Sequence, residues 1–162
     1  MRRKRAFDVA ASLLLLIAAL PVMLGAALLI RLRMGAPVLF TQVRPGRFEK
    51  PFQIYKFRTM SDKRDAEGRL LSDDQRLTAC GALLRKFSID ELPQLLNVLK
   101  GDMSLVGPRP LLMRYLPYFT ETERKRFEVR PGITGLAQIS GRNELPWSER
   151  LALDVRYVQT VS

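Results

Sequence analysis

Asp90 and Glu91 stand side by side just ahead of a run of leucines, and that position gives two ordinary carboxylates chemical interest. Ser88-Ile89-Asp90-Glu91 fits a capping box, with Ser88 as N-cap and Glu91 three residues on. Asp90 itself is the alternative cap, which would place Pro93 inside the first turn, where proline is tolerated. Either reading sets both carboxylates at a helix N-terminus. Unpaired amides and the helix dipole favour negative charge there, so both are expected to stay ionised with an anionic phosphate close by. Successive helix positions lie roughly 100° apart, so the pair would flank one Mg²⁺ and the phosphate it carries. Magnesium is usually held by one or two carboxylates plus substrate phosphates. An ionised Asp can also attack phosphorus and split one transfer into two steps. A plain cap that complements the helix dipole needs the same two residues, and spacing alone does not choose between these readings.

Arginines in stiff turns form a second constellation. They lie in Gly107-Pro108-Arg109-Pro110 and in Arg130-Pro131-Gly132-Ile133-Thr134-Gly135, which leads to Ser140-Gly141-Arg142. A guanidinium fork matches phosphate oxygens best when its backbone is fixed, and glycine lets backbone amides approach a ligand. Scattered Arg and Lys also make ordinary solvated faces, and Arg124, Lys125 and Arg126 are open to that reading. The chain carries 27 Lys and Arg against 16 Asp and Glu, a formal charge of +11, which points to an anionic partner: nucleic acid, anionic lipid or a phosphorylated substrate. There is no His, which excludes a Ser-His-Asp triad, a Cys-His dyad and an imidazole zinc site. Cys80, the single thiol, sits in an apolar stretch and reads as small core filler.

The elements that must position these groups begin with an apolar segment. Positions 9 to 30 hold no charge, and about 20 apolar residues suffice for a helix to cross hydrocarbon. A signal peptide has a shorter apolar region, of about 7 to 15 residues. Pro21 in the middle is expected to break or kink the helix. Arg2, Arg3, Lys4 and Arg5 precede the segment, while Arg31, Arg33, Arg44 and Arg47 follow it, so the positive-inside rule draws both ends to the cytoplasm. A re-entrant helix-break-helix satisfies both flanks; a kinked single span is the alternative. The chain therefore divides into an anchor over 1–34 and a cytosolic domain over 35–162, expected to form one structural unit. Strands are expected over Val38–Val43 and Phe52–Phe57 as a hairpin, then a loop or frayed helix over Ser61–Asp74 and a helix over Leu77–Phe87. Leu92, Leu95, Leu96 and Leu99 mark an amphipathic helix that Gly101-Asp102 ends. A short strand over Met103–Val106, a Thr120/Glu123 capping box opening a helix to about Val129, a short strand beyond Pro131 and a last helical turn around Glu149–Val158 complete an α+β, mainly helical chain.

Several runs together carry a more specific signal: Phe57-Arg58-Thr59-Met60; Ser88 through Ser104; Val106-Gly107-Pro108-Arg109-Pro110; Pro131-Gly132-Ile133-Thr134-Gly135; and Gly141-Arg142-Asn143. In this order they resemble the bacterial sugar transferases of the monotopic phosphoglycosyl transferase superfamily, over nearly the whole chain. The resemblance implies a ping-pong reaction at the inner, cytoplasmic membrane with the catalytic domain on its cytoplasmic face. Asp90 would attack the phosphate next to the sugar of a UDP-sugar, UMP would leave, and polyprenyl (undecaprenyl) phosphate would take the phosphosugar. Glu91 would help Asp90 hold Mg²⁺. By matching position Lys56, Arg58, Arg85, Arg109 and Arg142 are similar to family residues around the site and its phosphates, and Asp154 to a recurring acidic position. The sequence departs from the family at Leu20-Pro21, where a Ser-Pro pair is common, at Leu136, where an aromatic is common, and at Ser162, where relatives usually continue. Membrane lipid is an expected partner and a homodimer is left open. Nucleic acid is not expected, because aromatics make up 8% of residues and do not interleave with the basic ones. The alternatives are a basic membrane-tethered binding protein for nucleic acid or anionic lipid, and a soluble nucleotidyl or glycosyl transferase. The sugar itself is not legible.

Overall fold

The structure, a computed structural model, describes residues 2–141 and 144–161. Helix α1, Arg2–Met34, takes in the whole apolar segment. It runs without interruption across Pro21, so the expected helix-break-helix is corrected to one continuous helix. Proline removes only its own N–H from the ladder, and neighbouring turns keep theirs. Of the described helices α1 alone is long and apolar enough to cross a membrane, and only 11% of its most apolar window is buried. Leu13, Leu14, Ile17, Leu20, Leu24 and Leu28 all face outward. A core helix of a soluble protein would bury those side chains.

After α1 the chain turns through Gly35 and a cis Ala36-Pro37 bond into β1, Leu39–Pro45, and β2, Pro51–Phe57, which pair as a two-stranded sheet. Gly46 N–H donates to the Lys50 carbonyl at 2.8 Å and closes the connection, so the expected hairpin is present. Residues 61–72 form an irregular excursion with a bridge between Arg64 and Leu70, followed by the short helix α2, Asp73–Arg76. Helix α3, Ala79–Lys86, starts where the Thr78 hydroxyl accepts from Gly81 N–H at 2.9 Å. A 3-10 turn, Ile89–Glu91, precedes helix α4, Gln94–Lys100. Strand β3, Ser104–Val106, pairs in parallel with β4, Gly132–Thr134, in the register Ser104 to Gly132 and Val106 to Thr134. Between them lie a 3-10 segment, Met113–Tyr118, and helix α5, Glu121–Arg124, which opens with the anticipated Thr120/Glu123 capping box. Helices α6, Leu136–Ile139, and α7, Trp147–Val161, follow. The mainly helical character with small sheets is thus as expected.

The chain forms two compact units. One comprises Met1–Leu15, Gln42–Ile54 and Gln94–Ser162, the other Leu16–Thr41 and Tyr55–Pro93. The boundary near residue 34 therefore separates apolar from charged chemistry, while α1 contributes to both units. In the second unit Ala26 and Ile30 of α1 pack on Phe57 and Leu84. In the first, Ile54, Val98 and Met103 form one cluster and Phe119, Phe127 and Leu151 another. The buried face of α4 is not the leucine stripe: Gln94, Leu95, Asn97 and Val98 are buried, whereas Leu96 is exposed. The Asn97 amide donates to the Gln53 carbonyl at 2.7 Å, and the Asn97 carbonyl accepts from Asp102 and Met103 amides. A polar side chain with such partners is worth burying where an unpaired one is not.

Candidate active site

Within the unit that contains the second half of β2, strand alternation turns Phe57 into the core against α1 and leaves Lys56 on the opposite face. There the Lys56 ammonium donates to Glu91 Oε1 at 2.6 Å, with both side chains about a fifth exposed, 21% and 18%. Asp90, the residue before, is only 7% exposed. Burial pushes its carboxyl above the usual carboxylate range and Glu91 adds to that, while Lys56, Arg85 and the residue's own amide pull the other way. Burial thus opposes the ionisation that a helix start was expected to favour. Asp90 and Glu91 lie in the 3-10 turn before α4, so dehydration rather than the α-helix dipole sets the balance.

The chain reaches that turn by an unusual route. Ser88 has φ 55° and ψ 22°, in the left-handed region, and its side chain makes no capping bond, so the Ser88 capping box is not formed. Asp90 as cap of an α-helix is likewise not what forms. The left-handed residue reverses the chain between α3 and the 3-10 turn, where Glu91 and Leu92 amides donate to the Ser88 and Ile89 carbonyls, each at 3.2 Å. A non-glycine residue held there costs free energy, and such positions cluster at functional sites.

Thr59 connects the strand to α3. Its hydroxyl accepts from Arg85 Nε at 3.1 Å, and its carbonyl accepts from the Thr78 amide and hydroxyl, both at 3.2 Å. Gly81 makes this possible, since a Cβ at that position would lie 1.9 Å from the Thr59 carbonyl oxygen. The sequence placed Thr59 in a family-like run but assigned it no role. Among the expected phosphate ligands, Arg85 is exposed and close enough to Asp90 to influence its charge. Arg58 is used differently: it donates to the Met60, Ala36 and Met34 carbonyls and pairs with Asp62 at 2.7 Å. Those bonds fasten the α1 to β1 connection.

The other unit holds Arg109 and Asp154. Arg109 is exposed in the turn after β3. Asp154 is buried on α7 and pairs with Arg126 at 2.6 Å, with side chains 5% and 1% exposed. Burial holds the Asp154 carboxyl above its usual range, and Arg126 opposes the shift. Arg126 is therefore no solvated surface cation, as its neighbourhood of charges had allowed; nothing in the local sequence separates it from Arg124 and Lys125. Arg124 does lie partly at the surface, paired with Glu49. Arg142, with Asn143, lies outside the described residues.

Asp90 and Glu91 offer a hard cation two carboxylates. No cluster of three or more His, Cys, Asp or Glu able to hold a metal exists among the described residues. The donor set fits Mg²⁺, which commonly takes its remaining ligands from substrate phosphate and water, and does not suit a metal that demands an all-protein cage.

The model of a family described as bacterial sugar transferase matches residues 1–162. The chain is 58% identical over 159 residues to the uncharacterized sugar transferase EpsL of Bacillus subtilis, covering 98% of this chain and 79% of that one. It is 46% identical over 171 residues to the UDP-glucose:undecaprenyl-phosphate glucose-1-phosphate transferase of Caulobacter vibrioides, covering 99% and 64%. It is also 39% identical over 173 residues to the undecaprenyl-phosphate galactose phosphotransferase of Salmonella typhimurium, covering 96% of this chain and 36% of that longer one. With the whole length matched by one model and relatives this similar, the chain belongs to the bacterial sugar transferase family.

Proposed function

We propose that this chain transfers a sugar-1-phosphate from a UDP-sugar to polyprenyl (undecaprenyl) phosphate and releases UMP, as a membrane step in bacterial polysaccharide assembly. The observation that carries the reading is Asp90: a buried carboxylate flanked by Lys56 and Arg85, beside Glu91, in a chain whose relatives are named for this transfer. An Asp90 oxygen attacks the phosphorus next to the sugar, and the bond from that phosphorus to the bridging oxygen breaks. The electron pair leaves with UMP. A phosphate oxygen of the polyprenyl phosphate then attacks the same phosphorus and frees the Asp90 carboxylate, which closes the two-step cycle. Lys56 and Arg85 supply positive charge where the donor's phosphates must lie, and a partly dehydrated setting strengthens that attraction. Mg²⁺, held by Glu91 and Asp90, would supply further charge neutralisation of the diphosphate. Arg58, Arg109, Arg142 and Asp154 enter as substrate residues by resemblance alone.

Membrane association rests on α1. Its first turns are fastened to the charged part of the chain: Arg5 donates to the Val98 and Leu99 carbonyls at 2.6 and 3.0 Å, and Asp8 accepts from Ser104 at 2.8 Å. Its last turns pack on Phe57 and Leu84. Placement of both ends at the cytoplasmic face of the inner membrane rests on the basic residues that flank the apolar segment on each side. Labelling of a cysteine at position 2 from outside intact cells would overturn that topology.

Incubation with a UDP-sugar, Mg²⁺ and polyprenyl phosphate is expected to release UMP, and Asp90→Asn to abolish the release. Undiminished turnover in that variant rejects Asp90 as nucleophile. Release of UDP means that the sugar-to-oxygen bond was cut and rejects phosphosugar transfer.

A further inference from the structure

The turn Gly107-Pro108-Arg109-Pro110 is mounted in an uncommon way. Three successive carbonyls each accept one bond from a different element: Pro108 from the Gly132 amide at 2.9 Å, Arg109 from Arg126 Nη2 at 2.7 Å, and Pro110 from Arg44 Nη1 at 3.2 Å. Pro108 and Pro110 have no amide hydrogen and fixed φ, so the turn has little freedom left. Gly107 and Gly132 allow the close approach, since a Cβ on Gly132 would lie 2.1 Å from Gly107 N. Arg109 is the residue of the turn whose side chain is exposed.

Arg126 is built into this mount. It is 2% exposed; its Nη2 and Nε reach Asp154 Oδ2 at 2.6 and 3.2 Å, and the rings of Phe119 and Phe127 lie 5.4 and 5.3 Å from the guanidinium carbon. Its Nη1 is buried with no partner among the described residues. Stability alone explains this poorly. A buried ion pair is often matched or bettered by apolar residues of similar volume, and a buried donor without an acceptor is costly. What apolar residues cannot do is hold a carboxylate and a backbone carbonyl at once with one rigid fork.

We propose that Arg126, oriented by Asp154, is a positioning residue that sets the Arg109 turn, with Arg44 as the second clamp, so that the Arg109 guanidinium meets an anionic group of the substrate in one fixed orientation. The proposal rests on the reading above that Arg109 binds substrate. Asp154 then acts through Arg126 rather than on substrate itself. Fixing a charged group in advance matters because a misplacement of about 1 Å can cost on the order of 100-fold in rate.

The test is a double-mutant cycle on the full membrane-anchored chain, read as kcat/KM for UMP release. Arg126→Lys keeps the charge opposite Asp154 and loses the fork. In the wild-type background it is expected to lower kcat/KM by about tenfold, chiefly through KM for the UDP-sugar. Placed on Arg109→Ala it is expected to lower it hardly further, because residues that act as a unit are non-additive. An equal loss in both backgrounds means that Arg126 serves stability alone and overturns the proposal. If Arg109→Ala itself leaves kcat/KM unchanged, the substrate role of Arg109 falls and this inference with it. Should Arg126→Lys fail to fold, Arg44→Lys is carried through the same cycle with the same expected non-additivity. Additive losses there count equally against the mount.

Discussion

Replacement of Lys56 by Met tests whether the Asp90 site is held together by charge. The ammonium is 2.6 Å from Glu91 Oε1 and is the largest influence favouring the ionised form of Asp90. At an effective dielectric of about 20, unit charges at that distance attract by about 6 kcal/mol before desolvation is counted. Most of this is offset by dehydration of the two groups. Exposed pairs retain about 0–1 kcal/mol, and breaking a fully buried one costs about 3–5. With the side chains 21% and 18% exposed, Lys56→Met should therefore destabilise by about 1–3 kcal/mol. For a chain of this size that is a fall in Tm of about 2–12 °C. The pH dependence is the sharper readout. Loss of a cation that favours ionisation drives the Asp90 carboxyl further upward, so the acid limb of kcat/KM must move to higher pH. Glu91→Gln removes a like charge that raises the same carboxyl, so its acid limb must move to lower pH. Lys56→Arg should keep the wild-type limb. Profiles of UMP release from pH 5 to 9 decide the matter. Superimposable acid limbs for Lys56→Met and Glu91→Gln would refute the electrostatic account, whatever happened to the maximum rate.

Asp90→Asn is expected to raise stability while it abolishes transfer. The folded chain holds this carboxyl above its ordinary value, so the unfolded chain ionises first as pH rises. The wild type therefore loses stability relative to the variant from the ordinary carboxylate range up through the raised value, with the difference constant beyond it; melting curves that coincide at pH 4 and at pH 8 would contradict this. Gly81→Ala should cost about 1–3 kcal/mol or more and depress activity with it, because the new methyl would sit 1.9 Å from the Thr59 carbonyl oxygen, a backbone atom that cannot rotate away; a Tm within about 1 °C of wild type would rule out this packing. Thr120→Ala should cost about 0.5–2 kcal/mol by removal of the Thr120/Glu123 box on α5, with kcat/KM unchanged, as chemical denaturation and UMP release would show.

The hairpin, the two short strands and the Thr120 cap were legible because each is written locally: β-branched and aromatic runs bounded by Pro and Gly, or a Thr with Glu three residues on. The same cap rule failed at Ser88. It presumes that the chain enters the helix in an extended conformation, whereas Ser88, just past the end of α3, is left-handed. The leucine stripe of α4 misled for a related reason. Asn97 finds the Gln53 carbonyl, a partner 44 positions away, and a buried amide with such a partner rotates the inward face away from Leu96. Pro21 was read by its effect in a helix interior, yet α1 continues through it. Arg126 shows the limit most plainly, since its charge sits among surface charges in sequence and only the fold brings Asp154 to it.

The two acidic residues of greatest interest, Asp90 and Asp154, both have carboxyls raised by burial, and their surroundings differ. One guanidinium, that of Arg126, bonds Asp154 Oδ2 twice, at 2.6 and 3.2 Å. Asp90 is influenced by Lys56 and Arg85, yet the Lys56 bond goes to its neighbour Glu91 and the Arg85 Nε bond goes to Thr59. Positive charge thus favours an ionised Asp90 while these bonds of the two cations go to other residues. On the proposed reading, a carboxylate whose nearby cations bond to other residues keeps lone pairs for an incoming phosphorus. Dehydration raises its basicity further, and in the proposed reaction the same two cations would meet the donor's phosphates. On the proposed reading, the two buried acids differ in where the bonds of their cationic neighbours end: on Asp154 itself in one case, on Glu91 and Thr59 in the other.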